Sequence, residues 1–477
     1  MPDAAELAIA EAEEVVRLAA EREEARARRK ARNAEKQRRR REERSRSGAE
    51  QRERRRAEED RLRAEADRAR AVLADRAAEL RDAARGSAPG CFAALPDPRC
   101  RRGRRHSLPC VLSLVLMAML RGRTTLAGIT AWIARADQGL LAAAGARTGA
   151  GGRRQAPCGK TVTRLLGMVG ARALAEAVAC YLAAAQAAEP PAYPLAGPAL
   201  QPHLACDGKE VRGAVRPDGT SLFLLSAATG GIVVADREIP AKTNEIPGIG
   251  PMLLELSRRF PLAGWVLTAD ALHTQRALAT LTCEDLGAHY VFTVKGNQPG
   301  LHAALAGLCW AGARRHRSED KGHGRRETRS HLVMDAPEEI KALFPHAAQV
   351  ARVIRTRTVT SRKSNGKKRT RVTETHSETV YLVTSLTARE AGPEHIAAYI
   401  RGHWSVENQV HWVRDVTLRE DASKVRAGSR PRTLVTLRNL TAGLIRQSGY
   451  DSIAATIRDT EYDNNLLYAL LRITPDL

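Results

Sequence analysis

The stretch HLACDGKEVRGAVRPDGTSLFLLSAATGGIVVADREI (203–239) decides the fold. Its runs HLACD (203–207), SLFLLSAAT (221–229) and GIVVADREI (231–239) are short, β-rich and bounded by Gly, Asp and Pro, which predicts three consecutive strands. Downstream, GWVLTAD (264–270) and HYVFTVKG (289–296) read as two more strands. A helix around GPMLLELSRRF (250–260) precedes the first of these, and TQRALATLTCEDLG (274–287) separates them. Consecutive strands followed by alternating helix and strand predict a mixed α/β sheet.

Outward from that sheet the pattern changes on both sides. Residues 300–390 are irregular and very basic, and ARVIRTRTVTSRKSNGKKRTRVTETHSETVYLVTSL (351–386) reads as strands around a Lys/Arg-rich turn. The block PEHIAAYIRGHWSVENQVHWVRDV (393–416) returns to helix. Upstream, LPCVLSLVLMAML (108–120) predicts a buried helix and LAGITAWIARADQGLLAAAG (126–145) an amphipathic one, with two more expected in 160–188. A Pro-rich linker, EPPAYPLAGPALQP (189–202), joins this helical region to the sheet. The expected organisation is therefore a charged Ala/Arg/Glu arm (1–88), a helical domain (89–190), an α/β domain (203–447) with a basic β insertion at about 300–390, and a C-terminal tail (448–477). In the arm, Glu and Arg recur at helical spacing without a large apolar seam, which predicts a solvated helix or a disordered segment dispensable for the fold.

The formal net charge is +23, and the arm contributes little of it. Residues 1–90 hold 25 Lys+Arg against 21 Asp+Glu, leaving +19 for the folded region. Such an excess points to a polyanionic partner, and nucleic acid is the commonest. Eight cysteines show no C-x-x-C pair or zinc-finger spacing, so neither a disulfide framework nor a structural zinc is expected. The chain lacks a long uninterrupted apolar run and a basic leader, which predicts a cytoplasmic, nucleoid-associated protein without a membrane span.

Acidic residues ending apolar strands are the first candidates for chemistry, because sites in α/β sheets form at the carboxyl ends of strands. Asp207 and Asp270 occupy such ends, and Glu407 lies on the last helix block. Carboxylate oxygens suit Mg²⁺, and two ions held between them can drive phosphoryl transfer. His403, Glu407 and His411 are four residues apart and share a helix face, with Arg414 three beyond. Trp404 and Trp412 are expected to be core aromatics.

The strings ACDGKEVRGA (205–214), PAKTNEIPGI (240–249), LTADALHTQ (267–275), YVFTVKGNQP (290–299) and YIRGHWSVENQVHWVRDVTLREDAS (399–423) resemble, in this order, bacterial insertion-sequence transposases of the Asp-Asp-Glu type, in the branch that includes the H-repeat-associated proteins. LPDPRCRRGRRHSLP (95–109) is similar to the start of that branch's N-terminal associated domain. The resemblance spans about 91–447 and implies a ribonuclease H-like catalytic core with a β-rich insertion before the last catalytic helix. It implies Asp207, Asp270 and Glu407 as catalytic residues and ligands of two Mg²⁺ (or Mn²⁺) ions, with room for the insertion in the 137-residue gap before Glu407. It further implies nicking at the ends of a mobile element, attack of the freed 3′-OH on target DNA, and a homodimer bound to terminal inverted repeats. His403 stands at an Arg position of the family's last helix, Arg414 at a Lys position, and Tyr399 one residue from a Tyr position, which implies DNA contacts by His403 and Arg414. Lys209, Arg212, Lys242, Lys295, Asn297 and Gln298, beside the strand ends, suit DNA-backbone contacts, as do Lys363, Lys367, Lys368 and Arg369 in the basic turn. A structure-specific nuclease on the same core and an inactive DNA-binding relic are the alternatives.

Overall fold

The structure is a computed structural model that describes Glu35 and residues 86–188, 201–215, 219–240, 245–322, 325–365 and 368–474. The chain divides into two compact units, Met1–Arg76 and Ala77–Leu477, and every element below lies in the second. The expectations for nearly all of the arm and for the 189–200 linker fall outside the described residues.

Nine strands form one mixed sheet in the order β3-β2-β1-β4-β5-β9-β8-β7-β6. Strands β1 (His203–Val215), β2 (Ser221–Thr229) and β3 (Ile232–Ile239) are antiparallel neighbours, as the run at 203–239 predicts. Strands β4 (Val266–Ala269) and β5 (His289–Val294) then add in parallel beside β1. The basic segment supplies β6 (Arg314–Gly322), β7 (Arg325–Asp335), β8 (Gln349–Asn365) and β9 (Lys368–Thr384). It does not form a separate sheet: β9 pairs antiparallel with β5 from Val291↔Thr384 to Val294↔Tyr381.

The upstream helices are α1 (Leu108–Leu120), α2 (Leu126–Ile133), α3 (Gln138–Ala143), α4 (Gly159–Leu166) and α5 (Ala171–Ala188). The single amphipathic helix expected at 126–145 is two, because Asp137 caps a new start by accepting from the Leu140 N–H at 2.8 Å. Helix α1 is buried along almost its whole length and begins with Ser107 capping the Cys110 N–H. Helix α6 (Glu245–Ser257) precedes β4, the short α7 (Arg276–Thr280) follows it, α8 (Pro299–Gly307) leads into the insertion, and α9 (Glu338–Leu343) lies within it between β7 and β8.

One apolar cluster runs from Phe92 and α1 through Leu204, Cys206, Leu225, Leu267 and Phe292 on one face of the sheet. The opposite face is covered by α10 (Pro393–Val406), whose Ile396 and Tyr399 pack with Val266, Val291 and Leu382. Helix α11 (Arg430–Gln447) completes the first layer. Within the segment expected as a tail (448–477), the described residues form α12 (Ile453–Tyr462) and α13 (Asn464–Leu471). Their Ile453, Leu467, Leu470 and Leu471 belong to the same core as α1, and Thr460 Oγ1 donates to the Leu120 carbonyl at 2.5 Å. Among the described residues every cysteine is free, and no single helix is long and apolar enough to cross a membrane.

Candidate active site

Sheet register builds the site. The parallel pairing of β1 with β4 ends at Cys206↔Ala269, so Asp207 and Asp270 are the next residues on the two chains. Side chains alternate along strands, which puts His203, Ala205 and Asp207 on one face with Val266, Thr268 and Asp270. That is the face covered by α10. Thr268 Oγ1 lies 2.7 Å from His203 Nε2 and 3.3 Å from His403 Nδ1, tying the helix to both strands. A β-carbon on Gly402 would come within 2.8 Å of the His203 ring, so only a bare glycine lets the helix settle here. Beyond Val406 the helix widens into π turns at Glu407–His411 and Val413–Thr417. Such widening is frequent at functional sites. Within the first turn His411 brings Nδ1 to 3.5 Å from Asp207 Oδ2.

The electrostatics leave the two aspartates short of positive charge. Burial, and then the neighbouring Asp270 carboxylate, push Asp207 up to about 6, opposed by the Gly208 N–H donating to its Oδ1 at 2.9 Å. His411 is pushed down to about 3 by burial and by Arg414 and Lys209. Burial takes His403 down to about 4. Both imidazoles are therefore neutral near pH 7, so the histidine nearest Asp207 supplies no countercharge. Asp270 Oδ1 is buried without a hydrogen-bond partner, although its side chain is 47% exposed. Two oxygen donors of uncompensated charge match the needs of a hard divalent cation.

Glu407 is not gathered with them. It is exposed on the helix, and among the described residues no three His, Cys, Asp or Glu side chains are grouped closely enough to hold a metal ion.

The cations proposed from sequence divide sharply. Lys209 is not a surface contact, because its Nζ is held 2.6 Å from Asp415 with the side chain 9% exposed. Arg414 is likewise corrected: it is 1% exposed and its Nη2 donates to Glu420 at 2.6 Å, with Arg438 closing the same buried group. Arg212 is exposed, 3.8 Å from Asp421, and Lys295 is exposed at the end of β5. Asn297 and Gln298 are occupied locally, donating to the Ala271 carbonyl at 2.5 Å and the Thr274 carbonyl at 2.9 Å. They brace the loop after Asp270. His403 is part of the site and half-buried, whereas Tyr399 lies in the core with its hydroxyl accepting from the Gln201 N–H at 3.1 Å. Lys363 pairs with Thr370, and Ser364 with Arg369, near the tip of the β8–β9 hairpin. Lys368 opens β9, while Lys367 and Lys242 lie outside the described residues. Trp404 and Trp412, expected in the core, are 39% and 53% exposed; Trp404 sits under Arg329 and Arg355 at 5.5 and 5.2 Å.

Sequence reasoning missed Glu245 and His273, both buried beside the aspartates. The only signal was their place in the strings 240–249 and 267–275 that carry the family resemblance.

Comparison with known families gives the class. The description of a transposase DDE domain matches residues 200–444, and that of its associated domain matches 90–182. The chain belongs to this family of DDE-type bacterial transposases. Among its relatives are YncI of Escherichia coli O157:H7 and the H repeat-associated YhhI of Escherichia coli K12, both with transposase in their names. YncI is 27% identical over 51% of this chain and 61% of its own length; YhhI is 27% identical over 56% and 71%. A protein from the region beyond dhlA in Xanthobacter autotrophicus is 33% identical over 51% of this chain and 79% of its own length. The chain thus spans under two thirds of YncI. A solved piggyBac transposase synaptic complex with hairpin DNA aligns over 84% of this chain and 80% of its own, at 10% identity and a TM-score of 0.36, too distant to bear on this fold.

Proposed function

We propose that the protein is a DNA transposase that nicks element ends and joins the freed 3′-OH to target DNA, using a ribonuclease H-like core. The observation that carries the reading is the pair of acids one step beyond Cys206↔Ala269, at the carboxyl ends of adjacent parallel strands and flanked by neutral histidines. The antiparallel β3-β2-β1 ribbon beside the parallel β1-β4-β5 set, with a helix over the acidic face, supports the core assignment.

Asp207 and Asp270 would hold Mg²⁺ or Mn²⁺, with Glu407 as the third carboxylate from the helix and two ions in the loaded enzyme. The ions would polarise the scissile phosphate and acidify the attacking water. The chain's own groups set the stage for this. The Thr268 hydroxyl fixes His403 and His203, and so the helix that carries Glu407. Asn297 and Gln298 hold the loop behind Asp270. Hydrolysis breaks one P–O bond and leaves a 3′-OH; that hydroxyl then attacks a target phosphate and displaces another 3′ oxygen. The partners are terminal inverted repeats and target DNA, bound by a homodimer in the nucleoid, with Lys295, Arg212 and the β8–β9 hairpin as backbone contacts.

The test compares the full chain with Asp207→Asn, Asp270→Asn and Glu407→Gln on a duplex carrying the element end. Each variant is expected to lose nicking and joining by at least about 10²-fold while retaining DNA affinity. Mg²⁺-dependent nicking at the parental rate by any one variant removes that residue from the triad. Nicking without joining by the unaltered chain replaces the transposase reading with a nuclease.

A further inference from the structure

Beneath the two aspartates lies a second acid–imidazole pair that this chemistry does not use directly. Glu245, the first residue of α6, is 3% exposed, and its Oε2 lies 3.4 Å from His273 Nε2. His273 closes the single turn Ala271–His273 that follows Asp270, and its Nε2 is 4.0 Å from Asp270 Oδ1. The imidazole therefore stands between two carboxylates. Neither of its ring nitrogens makes a hydrogen bond of good geometry, and Asp270 Oδ1 has no partner. The third side of the arrangement is β1: a β-carbon on Gly208 would collide with the Glu245 carboxylate. Gly208 is the residue after Asp207, so the same glycine lets Glu245 press against the backbone that presents Asp207.

A buried carboxylate is unfavourable unless something compensates it, and an apolar side chain would fill this position at the start of α6 at no such cost. The backbone around His273 is braced by its own hydrogen bonds. The His273 N–H donates to the Asp270 carbonyl at 3.1 Å, and Thr274 Oγ1 donates to the Thr293 carbonyl of β5 at 2.5 Å. The Asp270 Oδ1 has no such brace; the His273 imidazole is one of its neighbours on the protein side.

We infer that Glu245 and His273 are positioning residues, a buried carboxylate–imidazole pair that holds Asp270 toward Asp207 across Gly208 and so pre-forms the cation site. The inference rests on the assignment of Asp207 and Asp270 as ligands. It assigns to α6 and the Asp270 loop the orienting role that outer partners play around metal ligands.

The experiment measures Mn²⁺ binding to the full chain without DNA, from loss of the free-ion electron paramagnetic resonance signal. It is combined with nicking kinetics and thermal melting. Asp207→Asn is expected to abolish the site. Glu245→Gln and His273→Gln are each expected to raise the Mn²⁺ dissociation constant about tenfold or more. They should lower kcat with KM for DNA unchanged, and added Mn²⁺ should restore kcat. Gly208→Ala, which keeps both side chains but displaces the Glu245 carboxylate, should show the same Mn²⁺ defect even if either substitution in the pair prevents folding. Parental Mn²⁺ affinity in Gly208→Ala and in the folded pair variants overturns the positioning role while leaving the ligands in place. Equal Mn²⁺ binding by the parent and Asp207→Asn overturns the ligand assignment and this inference with it.

Discussion

At Arg414 a side chain that the family resemblance assigns to DNA turns inward and closes on Glu420, 0% exposed, with Arg438 on its other side. The turn that makes this possible passes through Arg419, whose φ of 51° is the left-handed conformation. Nothing in helical periodicity announces such a reversal, so Arg414 reads from sequence as an exposed cation. Removing one partner of a buried ionic group strands the others, at a cost of about 3–5 kcal/mol. Glu420→Ala is expected to lower the denaturation free energy by that amount, read from urea unfolding; a decrease under about 1 kcal/mol would show the group to be hydrated instead. Asp207 and Asp270 are legible in the sequence because a strand-terminal acid needs only the register of its own strand to find its place. Glu245 and His273 are not, because each acquires its meaning from a neighbour on a different element.

Secondary structure is most legible where one short run makes one element. The run at 221–229 is β2 residue for residue, and 108–120 is α1. The last helix is less so. A spacing of four stacks His403, Glu407 and His411 only while the α form persists, and it ends at Val406. The basic hairpin β8–β9 is readable as β structure, but its junction with β5 is not, since strand pairing is a long-range choice that local pattern leaves open. Replacing Lys363, Lys367, Lys368 and Arg369 in the hairpin with Ala is expected to weaken DNA binding irrespective of sequence. The dependence of log affinity on log salt should flatten by up to about 0.9 for each phosphate no longer neutralised. An unaltered slope with an intact fold would place the backbone contacts elsewhere.

For the whole molecule the ends matter more than the sequence suggests. Four large apolar side chains of α12 and α13 are within 4% of full burial, and each contributes roughly 1.5–3 kcal/mol. Their sum rivals the roughly 5–15 kcal/mol of net stability typical of a domain. A chain ending at Ser448 is therefore expected to lose its cooperative melting transition by circular dichroism, and retention of the parental melting temperature would show the two helices to be an appendage. The reach of the sheet has a different kind of consequence. Because β5 pairs through His289–Phe292 with β4 on one edge and through Val291–Val294 with β9 on the other, the hairpin is spliced into the strand adjoining Asp270 by backbone hydrogen bonds, without an intervening linker. A splice of this kind is the geometry of a lever: if the hairpin grips a duplex as proposed, torque at its tip would be carried through β5 to the base of the Asp270 loop, and the angle of the DNA would bear on the geometry at the carboxylates.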